Sequence, residues 1–363
     1  MKIASLDAGL YRIPLATALS DSTHGNMEAF QLITVRIRDD EGAEGLGYTY
    51  TVGRGGAAVL SLVTRDLAPL LIGEDPRRRE RVWERMWWSV HYVGRGGPAS
   101  FAISAIDIAL WDWAAKRAGE PLWRFLGGHH PRVRCYAGGI DLQFPLDKLL
   151  AQADEFQRKG FRAIKMKVGR PSLAEDVSRV AAMRKHLGDD FPLMVDANMQ
   201  WSVDEAIRAS RAMAEYNPLW LEEPIIPEDV EGHRAIITQG ALPIAAGENL
   251  HSRFEFQRYL HAGAVSFPEP DVSNVGGITE WIKVAHMAEA HNLPVTSHGV
   301  HDLHVHLLAA IPNASYLEAH GFGLERYIAE PLRLEAGEAI APDRPGHGVA
   351  FNWDALSRLR ESP

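Results

Sequence analysis

A repeat of short apolar runs, each closing on a charged or imidazole residue and followed by a helical segment, constrains this chain more than any other feature. The closing residues are Lys167, Asp196, Glu222, Glu248, Asp271 and His298, spaced 29, 26, 26, 23 and 27 residues apart. One strand, one helix and two loops occupy about that length. Candidate strands are 134–139, 163–168, 192–196, 219–222, 243–247, 264–267 and 294–297, with helices such as Leu173–Leu187 and Val203–Tyr216 between them. Repeated βα units make either a parallel barrel or an open doubly wound sheet. The barrel is favoured, because barrel sites gather residues from the C-terminal ends of many strands. An open sheet would use one crevice and a Gly-rich first turn. The glycines near Glu44 lie in a hairpin and make no phosphate loop.

The sequence divides into residues 1–130, an α+β capping domain, residues 131–330, the (β/α) barrel, and residues 331–363, a tail returning to the first domain. In the first part, alternation over Phe30–Arg38, a turn at Asp39–Gly42 and a return over Glu44–Tyr50 predict a hairpin. Thr17–Asn26 reads as a polar loop, with His24 a candidate to reach the site as a specificity lid. Ile103, Ile106, Ala109, Leu110 and Trp113 predict a helix over Ser100–Arg117. Trp83, Trp87, Trp88 and Trp111 are expected in the core. With 46% hydrophobic and 23% charged residues, the composition is that of a globular protein. A net charge of −9 argues against nucleic-acid binding, which needs a basic face. No apolar run is long enough to span a membrane, and the N-terminal residues lack a signal-peptide core. The single Cys135 cannot form an internal disulfide, so a cytoplasmic location is expected.

Lys165 and Lys167 lie two apart in an apolar run, so in a strand they point to one face. Adjacent ammonium groups repel, and repulsion is expected to lower their pKa values until one can act as a base near neutral pH. Asp196, Glu222 and Glu248 end consecutive strands, and buried carboxylates are costly unless paired or bound to a cation. An all-oxygen set favours Mg²⁺ over Zn²⁺. Glu223 points the other way and reads as a supporting residue. Asp271 and His298, on the next two strands, can pair so that the carboxylate orients the ring and raises its pKa. An amine, a cation and an imidazole around one cavity suit proton abstraction next to a carboxylate, with the metal stabilising the enediolate.

These residues resemble the enolase superfamily, mandelate racemase subgroup, over nearly the whole chain. The motifs are KMK at 165–167, VDAN at 195–198, EEP at 222–224, GEN at 247–249, PD at 270–271 and SH at 297–298. The resemblance implies a modified TIM barrel with a capping domain, and Mg²⁺ bound by Asp196, Glu222 and Glu248. It implies Lys167 and His298 as the two acid/base groups, tuned by Lys165 and paired with Asp271 respectively. Glu318, in YLEAHG, would hydrogen-bond the substrate carboxylate, and Asn198 would contact substrate. Copies of the chain would assemble as a homo-oligomer, an octamer or smaller. Gly299 and His320 stand where mandelate racemase has leucine, and DANMQW and DLHVHLLAA look like acid-sugar dehydratases of the galactarate/talarate type. A polar pocket around His320 and His24 and a small-molecule polyhydroxy carboxylate substrate are therefore expected. Glu269 has no role assigned by this reading.

Dehydration of an aldonate or aldarate to a 2-keto-3-deoxy acid is the leading activity, and racemisation or epimerisation of a 2-hydroxy acid uses the same residues. A zinc hydrolase built on His304 and His306 is disfavoured, because that segment reads as a helix, where positions i and i+2 diverge. A non-catalytic binding protein would have no use for both lysines, the Asp–His pair and the acids together.

Overall fold

The computed structural model describes residues 1–320 and 323–361. Gly321 of the YLEAHG motif and the last two residues of the tail lie outside the described residues. The first sheet is antiparallel, in the order β1 (Ile3–Asp21), β2 (Gly25–Asp39), β3 (Glu44–Thr51). Its side chains alternate, so each face has its own partner. Ile33, Val35 and Ile37 pack into a core with the helices Arg79–Val90 and Pro98–Ala118. Phe30, Leu32, Tyr48 and Tyr50 face the other way and join the barrel core. Gly45 and Gly47 let the long helix lie directly on β3. A Cβ at Gly45 would sit 2.1 Å from the Ala109 carbonyl oxygen, and one at Gly47 2.0 Å from that of Ala105.

Two expectations for this region need correction. Most of the expected loop over Thr17–Asn26 is strand, because β1 and β2 stay paired as far as Asp21 and Gly25. The turn is only Ser22–His24. Trp88 is 55% exposed and is not a core residue, whereas Trp83 and Trp87 are buried and stacked. Trp88 sits on the outer side of its amphipathic helix, one position past the inward-facing Trp87.

The barrel strands follow in order: β4 (Arg132–Gly138), β5 (Ile164–Lys167), β6 (Leu193–Asp196), β7 (Leu221–Glu222), β8 (Ile244–Ala246) and β9 (Phe267–Pro268), each parallel to the next. β10 (Leu317–Ala319) pairs with the other edge of β4. The strand expected at 294–297 is an irregular seam. Thr296 N–H donates to the Pro268 carbonyl at 3.0 Å, and Val295 forms an isolated bridge to Ala314. Pro268, Pro270 and Pro294 remove N–H donors there, so no regular ladder forms. Helices Leu173–Leu187 and Val203–Met213 alternate with the strands, and the second starts on a Ser202/Glu205 capping box.

Polar contacts fix the first domain to the barrel. Asp107 of the long helix accepts hydrogen bonds from Thr279 N (2.8 Å) and Thr279 Oγ1 (2.7 Å), capping the barrel helix Ile278–Ala290 from outside. Trp83 Nε1 donates to the Gly276 carbonyl and Thr49 Oγ1 to that of Ser273. The tail first makes a hairpin, β11 (Arg333–Glu335) and β12 (Glu338–Ile340), and β12 pairs antiparallel with β4. It then returns to the first domain. His347 N–H donates to Asp112, Arg12 N–H donates to the Leu359 carbonyl, and Glu361 N–H donates to that of Leu10, along the outer edge of β1. Among the described residues, no helix is long and apolar enough to cross a membrane.

Candidate active site

The C-terminal ends of the strands bring the expected residues to one end of the barrel. β5 is buried throughout, and its period-2 geometry turns Lys165 and Lys167 inward together. Lys165 forms ion pairs with Glu222, with Glu318 at 2.9 Å and with Asp196 at 3.5 Å. Lys167 pairs with Asp196. Asp196 ends β6, Glu222 ends β7, and Glu248 follows β8. One oxygen from each of these three lies within 4.8 Å of the others, which fits a shared cation. Oε2 of Glu248 is buried and accepts no well-aligned hydrogen bond, as a ligand oxygen would. The set holds no sulfur or imidazole, so its chemistry suits a hard cation such as Mg²⁺. Glu223 turns away and accepts from Asn249 Nδ2 at 3.0 and 2.8 Å, which places the residue after Glu248.

His298 and Asp271 are joined, Nδ1 to Oδ2, at 3.1 Å. Ser273 donates to the other Asp271 oxygen through both its backbone N–H and its hydroxyl. The far ring nitrogen of His298 stands 3.2 Å from Glu248 Oε2. Burial disfavours the charged ring, but Glu248, the Asp271 bond and Glu318 outweigh it, and the pKa rises to about 10. Glu318 accepts from Gly299 N–H at 2.9 Å. Burial would raise its pKa, but Lys165 and His298 hold it well below the usual range.

The lysines behave opposite to expectation. Burial lowers the pKa of each, but Glu222 and Glu318 lift that of Lys165 well above its usual value, and Asp196 does the same for Lys167. Mutual repulsion is present, yet it is smaller than the attraction of acids contributed by other strands. Burial raises Glu222 to about 8. Glu269 is fully buried among these charges, and neither of its oxygens has a hydrogen-bond partner.

A cavity of about 390 Å³ opens beside Glu248 and His298. His24, Glu248 and His298 line one part of it, and Val52, Val59 and Phe101 another, so the pocket is half apolar rather than uniformly polar. His24 comes from the β1–β2 turn and is held by Asp21, Nδ1 to Oδ2, at 2.9 Å. The adjoining Ser22 donates to the Ala197 carbonyl at 2.8 Å and Thr23 to that of Asn198, fastening the turn to the barrel just beyond Asp196. Asn198 is buried and is engaged through its carbonyl, with a backbone φ of 43°. It does not line this cavity. Neither does His320, which burial keeps neutral, with a pKa lowered to about 3.

Sequence reasoning missed two partners. Tyr50, at the end of the expected return strand, places its hydroxyl 3.1 Å from Asp271 Oδ2 and 3.3 Å from His298 Nδ1. No local pattern marks it. Asp21 is the partner of His24, and their i, i+3 spacing in a polar turn was a usable signal.

Comparison with known proteins bears on the same site. The model of the family described as enolase C-terminal domain-like matches residues 148–355, and that of the mandelate racemase / muconate lactonizing enzyme N-terminal domain matches residues 10–127. A 3,6-anhydro-alpha-L-galactonate cycloisomerase of Streptomyces coelicolor is 58% identical over 350 residues, spanning 96% of this chain and 97% of that protein. The crystal structure of a racemase from Streptomyces coelicolor A3(2) with bound magnesium superposes with a TM-score of 0.97 at 56% identity, covering 99% of this chain and 100% of that one. An L-talarate dehydratase from Polaromonas sp. JS666, complexed with Mg and L-glucarate, superposes with a TM-score of 0.94 at 38% identity, covering 99% and 98%. The cofactor is Mg²⁺, which these solved relatives hold and which the acidic triad is built to take. The fold, the motifs and these matches agree: the chain belongs to the enolase superfamily, in its mandelate racemase subgroup.

Proposed function

We propose that this enzyme removes the proton next to the carboxylate of an acid sugar and expels the oxygen on the neighbouring carbon, C3. The observation that carries the reading is the arrangement of Lys167 on one side and the Asp271–His298 pair on the other side of the triad Asp196, Glu222 and Glu248. Those three carboxylates would hold Mg²⁺, which when bound supplies positive charge against the substrate carboxylate and offsets the acids that raise the lysine pKa values.

Lys167 is the base. It takes the C2 proton, the C2–H electron pair passes into the carboxylate as an enediolate, and its return forms the C2–C3 double bond as the C3–O bond breaks. His298, kept protonated and aimed by Asp271, gives its proton to the departing oxygen. The resulting enol tautomerises to a 2-keto-3-deoxy acid. Lys165 holds Glu222 and Glu318 in place, and Glu318 is positioned for the substrate carboxylate. His24, which lines the cavity, is the candidate contact to the rest of the sugar.

Such an elimination has two outcomes. When the C3 oxygen is a hydroxyl, water leaves and the reaction is a dehydration. When it closes a 3,6-anhydro ring, the ring opens, nothing leaves, and the reaction is a cycloisomerisation. We favour ring opening. The 58% identity to a cycloisomerase over nearly the full length of both proteins supports it. So does the apolar wall of Val52, Val59 and Phe101, which suits the methylene side of a compact ring. Dehydration of an open-chain acid is the second reading, supported by the likeness to the L-talarate dehydratase.

The deciding experiment offers 3,6-anhydroaldonates and open-chain aldonates and aldarates with Mg²⁺, and follows keto-acid formation and product mass. An isomeric keto acid supports ring opening, and a keto acid lighter by one water supports dehydration. Exchange or epimerisation at C2 without any keto acid would refute elimination.

A further inference from the structure

The His304–Val305–His306 segment is not absorbed by this chemistry. It lies in the helix His301–Ala310, where positions i and i+2 diverge, and its two imidazoles make separate connections. His306 accepts from Trp123 N–H and donates to the His347 carbonyl, joining the barrel helix to the tail. His304 points toward the reacting end. It is fully buried, its Nε2 accepts from Val272 N–H at 3.0 Å, and its Nδ1 donates to the Gly299 carbonyl at 2.9 Å. Val272 follows Asp271, and Gly299 follows His298.

We propose that His304 is a positioning residue that ties the backbone behind Asp271 to the backbone behind His298 and so sets the geometry of the pair. The inference rests on the acid/base role given to His298 above. The irregular seam makes this link necessary. Prolines prevent a ladder between β9 and residues 294–298, leaving the Thr296–Pro268 hydrogen bond to join the two segments. The turn beyond His298 is also strained. Gly299 and Val300 have φ values of 59° and 27°, and a β-branched residue in that region costs free energy that its surroundings must hold. Gly299 is gripped at both ends, its N–H by Glu318 and its carbonyl by His304. A residue that only filled space here would need neither bond. Both require one species, a neutral ring with its proton on Nδ1, and burial, which disfavours the charged ring, keeps it neutral.

The test compares two variants with the wild type. His304→Phe keeps a ring but neither hydrogen bond. Its kcat for elimination should fall about 10–100-fold, as for other outer-shell partners, with little change in KM. Exchange of the C2 proton with deuterated solvent, performed by Lys167, should persist. His304→Gln can accept from Val272 and donate to Gly299, and should recover part of the loss. Wild-type turnover in His304→Phe would overturn the inference. So would a parallel loss of exchange and elimination, which marks a general packing defect. Should His304→Phe not fold, nitrogen-15 spectra of wild-type histidines decide. His304 should remain a neutral Nδ1–H ring between about pH 5 and 8, and a ring that titrates there overturns the inference. If the wild type converts no acid, the reaction reading fails, while these spectra still judge the His304 bonds.

Discussion

Tyr50 places its hydroxyl 3.1 Å from Oδ2 of Asp271, the same oxygen that holds the His298 ring. Tyr50 ends a strand of the capping domain and Asp271 follows a strand of the barrel, so the pair spans the two parts of the molecule. Burial and the neighbouring carboxylates push the phenol pKa well above 10, so the hydroxyl stays a donor. Tyr50→Phe should cost about 1 kcal/mol of stability, the value of one hydrogen bond. It should also lower kcat by about tenfold through a less constrained His298. Denaturant unfolding and steady-state kinetics measure the two effects. Unchanged kcat would leave Tyr50 without a part in aiming the ring.

Lys167 and His298 supply steps that neither can supply for the other. Removing either should lower elimination by about 10²–10⁴-fold. His298→Asn should still exchange the C2 proton with deuterated solvent, and Lys167→Ala should not. Proton NMR of substrate in D₂O separates them. If Lys167→Ala exchanges normally and His298→Asn does not, the roles are reversed.

Chelation should abolish turnover, and added Mg²⁺ should restore it. Asp196→Asn and Glu248→Gln should each weaken Mg²⁺ binding in calorimetric titration, because each removes a charged oxygen donor. A metal-free preparation with full activity contradicts the assignment.

His24 faces the cavity and is held in place by Asp21. Its pKa is raised, first by the bond to Asp21, which shifts the ring toward its charged form, a donor toward substrate oxygens. His24→Asn should raise KM about tenfold, the loss of one hydrogen bond to a charged group. Asp21→Asn should give a smaller change in the same direction. Identical kinetics in both variants would remove His24 from the substrate site.

Asp107 makes a pH prediction for stability. Burial raises its pKa in the folded chain to about 7, against an ordinary carboxyl value of 3.8. A carboxyl raised by folding contributes stability at low pH and loses it as pH climbs through the folded value, because the unfolded chain ionises first. Its contribution should be full below about pH 4, decline by about 1.4 kcal/mol per unit up to about pH 7, and then level off. Asp107→Asn removes that slope, so the variant should gain on the wild type as pH rises over this window. Parallel urea-unfolding curves for the two proteins would count against it.

The barrel was readable because its strands are apolar runs ending in acids, and a period of two places Lys165 and Lys167 on one face. What escaped was whatever depended on distant chain segments. Tyr50 and Asp271 are 221 residues apart, and no local spacing announces such a contact. The lysine pKa values rise where the sequence predicts a fall, for the same reason. Only the neighbouring lysine is visible in the sequence, whereas Asp196, Glu222 and Glu318 arrive from other strands. The sequence predicts a strand at 294–297 because its apolar residues look regular, whereas the prolines that break its ladder lie partly on the neighbouring strand.

The outer edge of β1 is covered by the last residues of the chain, with Arg12 bonded to Leu359 and Glu361 to Leu10. A ribosome makes that edge long before its cover. Until residues 359–361 emerge, β1 therefore presents unpaired backbone groups, of the kind through which nascent chains associate wrongly. The capping domain can be sealed only after the barrel between its two pieces has emerged, so a part made before the barrel is finished after it.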